Sequence, residues 1–129
     1  MARAEELPIT EAEWDVLKAL WALGPATARG VAEHLADERG WAYSTVKTML
    51  DRMADKKLVK ARQIGNVWEY TPAVDQADAR KGAWQRFVGA AFGGAVAPAL
   101  AFIASEGALS KKEREQLLDL LRKGERHDR

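Results

Sequence analysis

The apolar residues of this chain change their period abruptly between residues 55 and 58, and that change constrains the fold more than any other feature. In GWAYSTVKTMLDRM (40–53), Val46, Met49, Leu50 and Met53 fall at i, i+3, i+4 and i+7, the single buried stripe of a helix running to about Asp55. Leu58-Val-Lys-Ala-Arg62 then alternates apolar and basic residues. Gln63-Ile-Gly-Asn66 supplies turn residues, and Val67-Trp-Glu-Tyr-Thr71 alternates again up to Pro72. A period of two around a glycine–asparagine turn predicts a β-hairpin. One element cannot serve both periods, so a helix must hand over directly to a two-stranded ribbon.

Two further helices precede that junction. Thr10-Glu-Ala-Glu13 reads as a capping box. The helix it opens carries Trp14, Leu17, Leu20 and Trp21 on one face, with both tryptophans read as core, and stops at Gly24-Pro25. Thr27 caps a second helix bearing Val31, His34 and Leu35, which ends near Gly40. Trp68 and Tyr70 of the hairpin are expected to pack on the core, with stacking on a base as the lesser alternative. Three short helices followed by a ribbon is the element order of a winged helix-turn-helix domain. The expected class is mainly α with a small antiparallel β-hairpin.

Beyond Pro72 the composition shifts. A helix is expected from Asp75 to about Phe92, closed by Gly93-Gly94, and a second from about Val96 to Ser105 with Pro98 in its first turn. Ser110-Lys-Lys-Glu113 is another capping box, opening a helix that carries Leu117, Leu118, Leu120 and Leu121. These helices, about 50 residues, are too few to bury so much apolar surface alone. They are expected to form a homodimer contact through Trp84, Phe87, Val88, Phe92, Leu100, Phe102, Ile103, Leu117, Leu118 and Leu121. The expected division is residues 1–73 for the winged helix and 74–129 for the helical dimerisation region.

Composition removes several classes of function. The chain has no cysteine and only two histidines, His34 and His127. Thiol chemistry and zinc–cysteine sites are therefore excluded, and no enzyme activity, metal site or cofactor is expected. The uncharged run from Phe87 to Ser105 is alanine- and glycine-rich, with adjacent glycines and a proline, so two helices meeting a partner are expected instead of a membrane span. MARAEELPIT has no apolar secretory core, and a cytoplasmic protein is expected. Net charge is +1, but residues 40–70 hold six Lys/Arg against three Asp/Glu, whereas residues 1–39 hold four against eight. Such a basic patch is the footprint of phosphate contact, or else a solvated charged face.

The outward face of the 40–53 helix favours the former. Ser44, Thr45 and Thr48 are weaker helix formers than the Glu, Lys or Ala that stability alone would place there. Short hydroxyls let a helix approach a DNA major groove, and threonine methyls can meet a thymine methyl. Lys47 can reach a guanine edge or a phosphate, Arg52 a phosphate at the groove edge, and Tyr43 a phosphate or sugar. In the wing, Lys60 and Arg62 share one face and Asn66 stands at the tip, placed for phosphate or minor groove. Taken singly, Ser44 or Thr45 could be a helix cap and Lys47 a solvated charge. The competing reading of the whole is a winged-helix protein–protein module without DNA affinity.

TEAEWDVLKALWALGPATARGVAEHL followed by GWAYSTVKTMLDRMADKKLVKARQIGNVWEYTP resembles the penicillinase-repressor family of bacterial transcription factors, over about residues 7–123. The resemblance implies a winged-helix homodimer that represses promoters from palindromic double-stranded DNA operators and dimerises through its carboxy-terminal helices. By that likeness Ser44, Thr45, Lys47 and Thr48 fall on recognition positions, and Arg52 on a backbone-contact position. In the family's antibiotic-responsive members, a membrane-bound sensor protease system leads to cleavage of an Asn-Phe bond in the dimerisation region. The matching place here reads Ala101-Phe102, a departure from that pattern. The copper-responsive members carry carboxy-terminal cysteine pairs, so thiolate copper sensing is excluded. Ala42-Tyr43 replaces the family's serine-proline before the recognition helix.

Overall fold

The structure, a computed structural model, describes residues 8–127. Its elements run α1 (Glu11–Leu23), β1 (Ala26–Thr27), α2 (Ala28–His34), α3 (Tyr43–Asp55), β2 (Val59–Ile64), β3 (Val67–Pro72), α4 (Gln76–Phe92), α5 (Val96–Ser105) and α6 (Lys111–His127). They fall into two compact units that divide between Arg86 and Phe87, inside α4. The fold is mainly helical, with a three-stranded antiparallel sheet in the order β1-β3-β2.

In the first unit side-chain caps fix the starts of α1 and α2. Thr10 and Glu13 form the expected capping box, with the Glu13 N–H donating to Thr10 Oγ1 (3.1 Å) and the Thr10 N–H donating to Glu13 Oε1 (2.9 Å). The Thr27 hydroxyl accepts from the Gly30 N–H (3.1 Å) and caps α2. α2 ends at His34, earlier than the expected Gly40, because Leu35 is already its C-cap; His34 itself is exposed. The loop onward to α3 is fastened by Arg39, whose Nε donates to Asp15 Oδ2 (2.6 Å) while its guanidinium lies 5.0 Å from the Trp41 ring centre. Val16, Leu17, Leu20, Val31, Val46, Leu50, Met53, Leu58 and Tyr70 make one core. Trp14 and Trp21 pack on its edge, and the Trp21 indole N–H donates to the Val74 carbonyl (3.1 Å). Val74 and Ala79 belong to this core as well, so the first unit continues past Pro72 into α4.

α3 ends in a Schellman motif: the Leu58 N–H reaches the Met53 carbonyl (2.9 Å) and the Lys57 N–H the Ala54 carbonyl (3.0 Å). Lys57 occupies the left-handed position, φ 67°, where glycine is usual. The chain thereby turns straight from α3 to the ribbon. β2 and β3 pair from Val59↔Pro72 to Ile64↔Val67, so the strands run further than expected and only Gly65 and Asn66 form the turn. Gly65, φ 63°, takes the first central position, the place of glycine in a type II′ turn. The two-residue β1, not expected, pairs Ala26 with Tyr70 and Thr27 with Glu69. Tyr70 is fully buried as expected, but Trp68 is 42% exposed. Pleating puts both on one face; the helices cover that face only near the base of the hairpin, and Trp68 stands beyond them.

Glu13 is the one buried acid of the described core, and both its carboxylate oxygens accept from Lys56 Nζ at 2.9 Å. Burial alone would raise its pKa; the Thr10 amide and the Lys56 ammonium outweigh this and hold the carboxyl below its ordinary value of 4.5. A depressed folded pKa contributes stability above the unfolded value and loses it as pH falls through the folded one. Urea midpoints of wild type and Glu13→Gln should therefore lie furthest apart at neutral pH and converge as the pH falls below the ordinary carboxyl value of 4.5. A gap that widens on acidification would contradict this.

The second unit holds the end of α4 with α5 and α6. Gly93 and Gly94 have φ of 59° and 89°, and α4 and α5 turn by 85° at this break. No single described helix is long and apolar enough to cross a membrane. The ring of Phe92 lies 5.7 Å from that of Phe87 and 6.0 Å from that of Phe102. Ser110 and Glu113 form the expected capping box of α6, and Arg114 Nη2 donates to the Ala104 carbonyl (3.2 Å). Of the candidate dimer residues, Phe87, Leu100, Phe102, Leu118 and Leu121 are exposed, and Trp84, Phe92, Ile103 and Leu117 half-buried. Val88 is covered within the chain, at 3% exposure, and has no area left to offer a partner.

Candidate nucleic-acid interface

α3 divides cleanly into two faces. Val46, Leu50 and Met53 are buried to 0% exposure, while Ser44, Thr45, Thr48 and Arg52 are exposed. Neither Ser44 nor Thr45 serves as a cap: the N-cap is Ala42, which makes no side-chain cap bond. The first turn carries no acid, so the amides at this helix start are not already satisfied by a side-chain oxygen. Such an end accepts an anion. Tyr43 opens α3 and is exposed, with the Arg29 guanidinium 5.4 Å from its ring centre.

A cleft of about 440 Å³ runs between the starts of α2 and α3 and the hairpin tip, lined chiefly by Thr27, Arg29, Tyr43, Lys47, Asn66 and Trp68. Three expected site residues, Tyr43, Lys47 and Asn66, thus meet in one place. Arg29 joins them unforeseen, and so does Trp68, expected first of all in the core. A cation in the first turn of α2 opposes the helix dipole, and that is the signal by which Arg29 can be found in the sequence. Lys60 and Arg62 pair with Thr71 and Glu69, on the ribbon face opposite Tyr70 and Trp68. They are exposed but stand apart from the cleft.

The Lys47 side chain runs along the wall of that cleft to a three-membered cluster. Its Nζ donates to Asp51 Oδ1 (2.8 Å) and Oδ2 (3.0 Å) and to the Tyr70 hydroxyl (2.7 Å), and the Tyr70 O–H donates to Asp51 Oδ1 (2.8 Å). The Asp51 and Tyr70 bonds raise the Lys47 pKa far above its ordinary value. Burial would raise Asp51, but the bonds from Lys47 and Tyr70 prevail and lower it. Burial together with Asp51 raises Tyr70 despite the nearby ammonium. All three groups are fixed in their ordinary neutral-pH forms.

The sequence model described as penicillinase repressor matches residues 9–123. The chain belongs to the penicillinase repressor family. It is a DNA-binding transcriptional repressor and not an enzyme. A Latilactobacillus sakei protein, described as an uncharacterized 16.5 kDa protein in the ptsI 3′ region, is 31% identical over 113 residues, covering 88% of this chain and 77% of its own. The methicillin resistance regulatory protein MecI of Mammaliicoccus sciuri is 27% identical over 116 residues, covering 89% of this chain and 94% of its own. Among solved structures, the DNA-binding domain of the repressor BlaI is similar over 60% of this chain and 93% of its own, at 28% identity and a TM-score of 0.50.

Proposed function

We propose that this repressor acts in the cytoplasm as a homodimer on palindromic operators, each protomer setting the front of α3 into a major groove. The observation that carries this is the hydroxyl face of Ser44, Thr45 and Thr48, exposed on a helix that is anchored from behind and left uncapped in front. Ser44, Thr45 and Thr48 meet base edges and Tyr43 and Arg52 the backbone, while Lys60, Arg62 and Asn66 set the wing on phosphates. The exposed apolar residues of the second unit supply the dimer contact.

Release by a membrane-bound sensor protease system would act near Ala101 and Phe102. Both are exposed, but they lie inside α5, so cleavage there requires that helix to open first.

A dimer that neutralises on the order of 6–10 phosphates should bind with a log–log salt slope of roughly −5 to −9. Titrating a binding site, selected from a random pool, at several salt concentrations measures this. A nearly flat response would overturn the reading.

A further inference from the structure

Lys47 stands on the recognition helix, yet its ammonium points along the cleft wall to Asp51, one turn further on α3, and to Tyr70 of β3. Its contacts to Asp51 Oδ1, Asp51 Oδ2 and the Tyr70 hydroxyl match the three donors an ammonium possesses. A guanine edge or a phosphate would have to displace one of them. The same move would strip the Tyr70 hydroxyl of a partner in a partly buried place, which is unfavourable.

Tyr70 occupies the central strand. It pairs with Ala26 of β1 on one side and Ala61 of β2 on the other, and its ring is fully buried in the core. A bond from α3 to its hydroxyl therefore joins the recognition helix to the whole sheet. The wing tip, Gly65-Asn66, is carried by that sheet and stands across the cleft from the starts of α2 and α3, where Trp68 remains 42% exposed.

We infer that the Lys47–Asp51–Tyr70 cluster is a latch that sets the wing relative to the recognition helix, with Lys47 a positioning residue and not a reader of bases. The inference rests on the DNA-binding reading above and deepens it. Asp51 holds the Lys47 charge inward and is itself neutralised, so an acid can stand on a DNA-facing helix without repelling phosphate. Wing and helix then meet the DNA as one rigid piece, and the latch affects affinity through the wing's phosphate contacts alone.

Two variants break the latch without changing net charge: Tyr70→Phe, which keeps the buried ring, and Lys47→Met combined with Asp51→Leu. Each should weaken binding to a selected operator and to scrambled DNA by the same factor, about three- to tenfold, the worth of one hydrogen bond. The ratio of operator to scrambled affinity should not move. Adding Arg62→Ala should weaken binding less in the Tyr70→Phe background than in wild type, because a wing already out of place has less contact to lose. Loss of the operator preference in the Lys47→Met/Asp51→Leu protein alone would make Lys47 a base reader and overturn the latch. Unchanged binding in both variants would overturn it too. Absence of DNA binding by the wild type would instead overturn the proposed function on which the latch depends.

Discussion

Leu118→Glu combined with Leu121→Glu is expected to leave the protein monomeric and to weaken operator binding by about two to four orders of magnitude. Both leucines are more than half exposed on α6, at 52% and 53%, with Leu120 at 64% beside them. A leucine gains about 1.5–3 kcal/mol on full burial, and a glutamate forced into the same place must be desolvated without a partner. The loss of DNA affinity is larger than any single contact would give, because a dimer binds its second half-site intramolecularly. Sedimentation of wild type and variant gives the oligomeric state. Titration of a full operator and of one half-site separates dimer loss from damage to the reading head: the half-site affinity of the variant should equal that of wild type. A variant that stays dimeric would move the interface away from α6. A wild type that is monomeric at micromolar concentration would remove the dimer from the proposal.

The second large effect is expected inside α3. Leu50 is fully buried between the helices and the sheet, and Leu50→Ala should destabilise the first unit by about 2–5 kcal/mol. That is a large share of the roughly 5–15 kcal/mol that holds an ordinary domain folded. Thr48, two residues away and exposed, should behave in the opposite way. Thr48→Val should change stability by no more than about 0.5 kcal/mol, yet lower operator affinity by losing its hydroxyl contact. Urea denaturation reads the first effect, and operator titration at a temperature where both variants are folded reads the second. Equal stability losses from the two substitutions would mean that α3 does not divide into anchored and reading faces.

Features set by neighbours in the chain were legible before the structure. The Thr10 and Ser110 capping boxes, the Thr27 cap and the stop at Gly24 all depend on contacts within four residues. The hairpin followed from alternation, which needs no knowledge of the rest of the fold. What was not legible depends on distant partners. β1 is too short to show any period and exists only because β3 passes beside it. Trp68 obeys the same alternation as Tyr70, but nothing local says where the supporting helices stop. Lys47 and Tyr70 are 23 residues apart, and their hydrogen bond cannot be read from either segment. The Arg29–Tyr43 contact likewise joins two helices across the intervening loop.

The two-residue turn at Gly65-Asn66 also limits how this protein can change. With Arg62 opposite Glu69 and Ala61 opposite Tyr70, each strand residue is committed to one side of the ribbon. Deleting a single residue at the tip and re-pairing the strands in a shifted register would turn one strand over, sending Arg62 inward or Tyr70 out of the core. Side chains on the exposed face of the wing can be exchanged one at a time, whereas no residue can be taken from its tip. New operator preferences can therefore arise by substitution on the exposed face of the hairpin, whereas a deletion at its two-residue tip would cost the strand pairing that holds the wing.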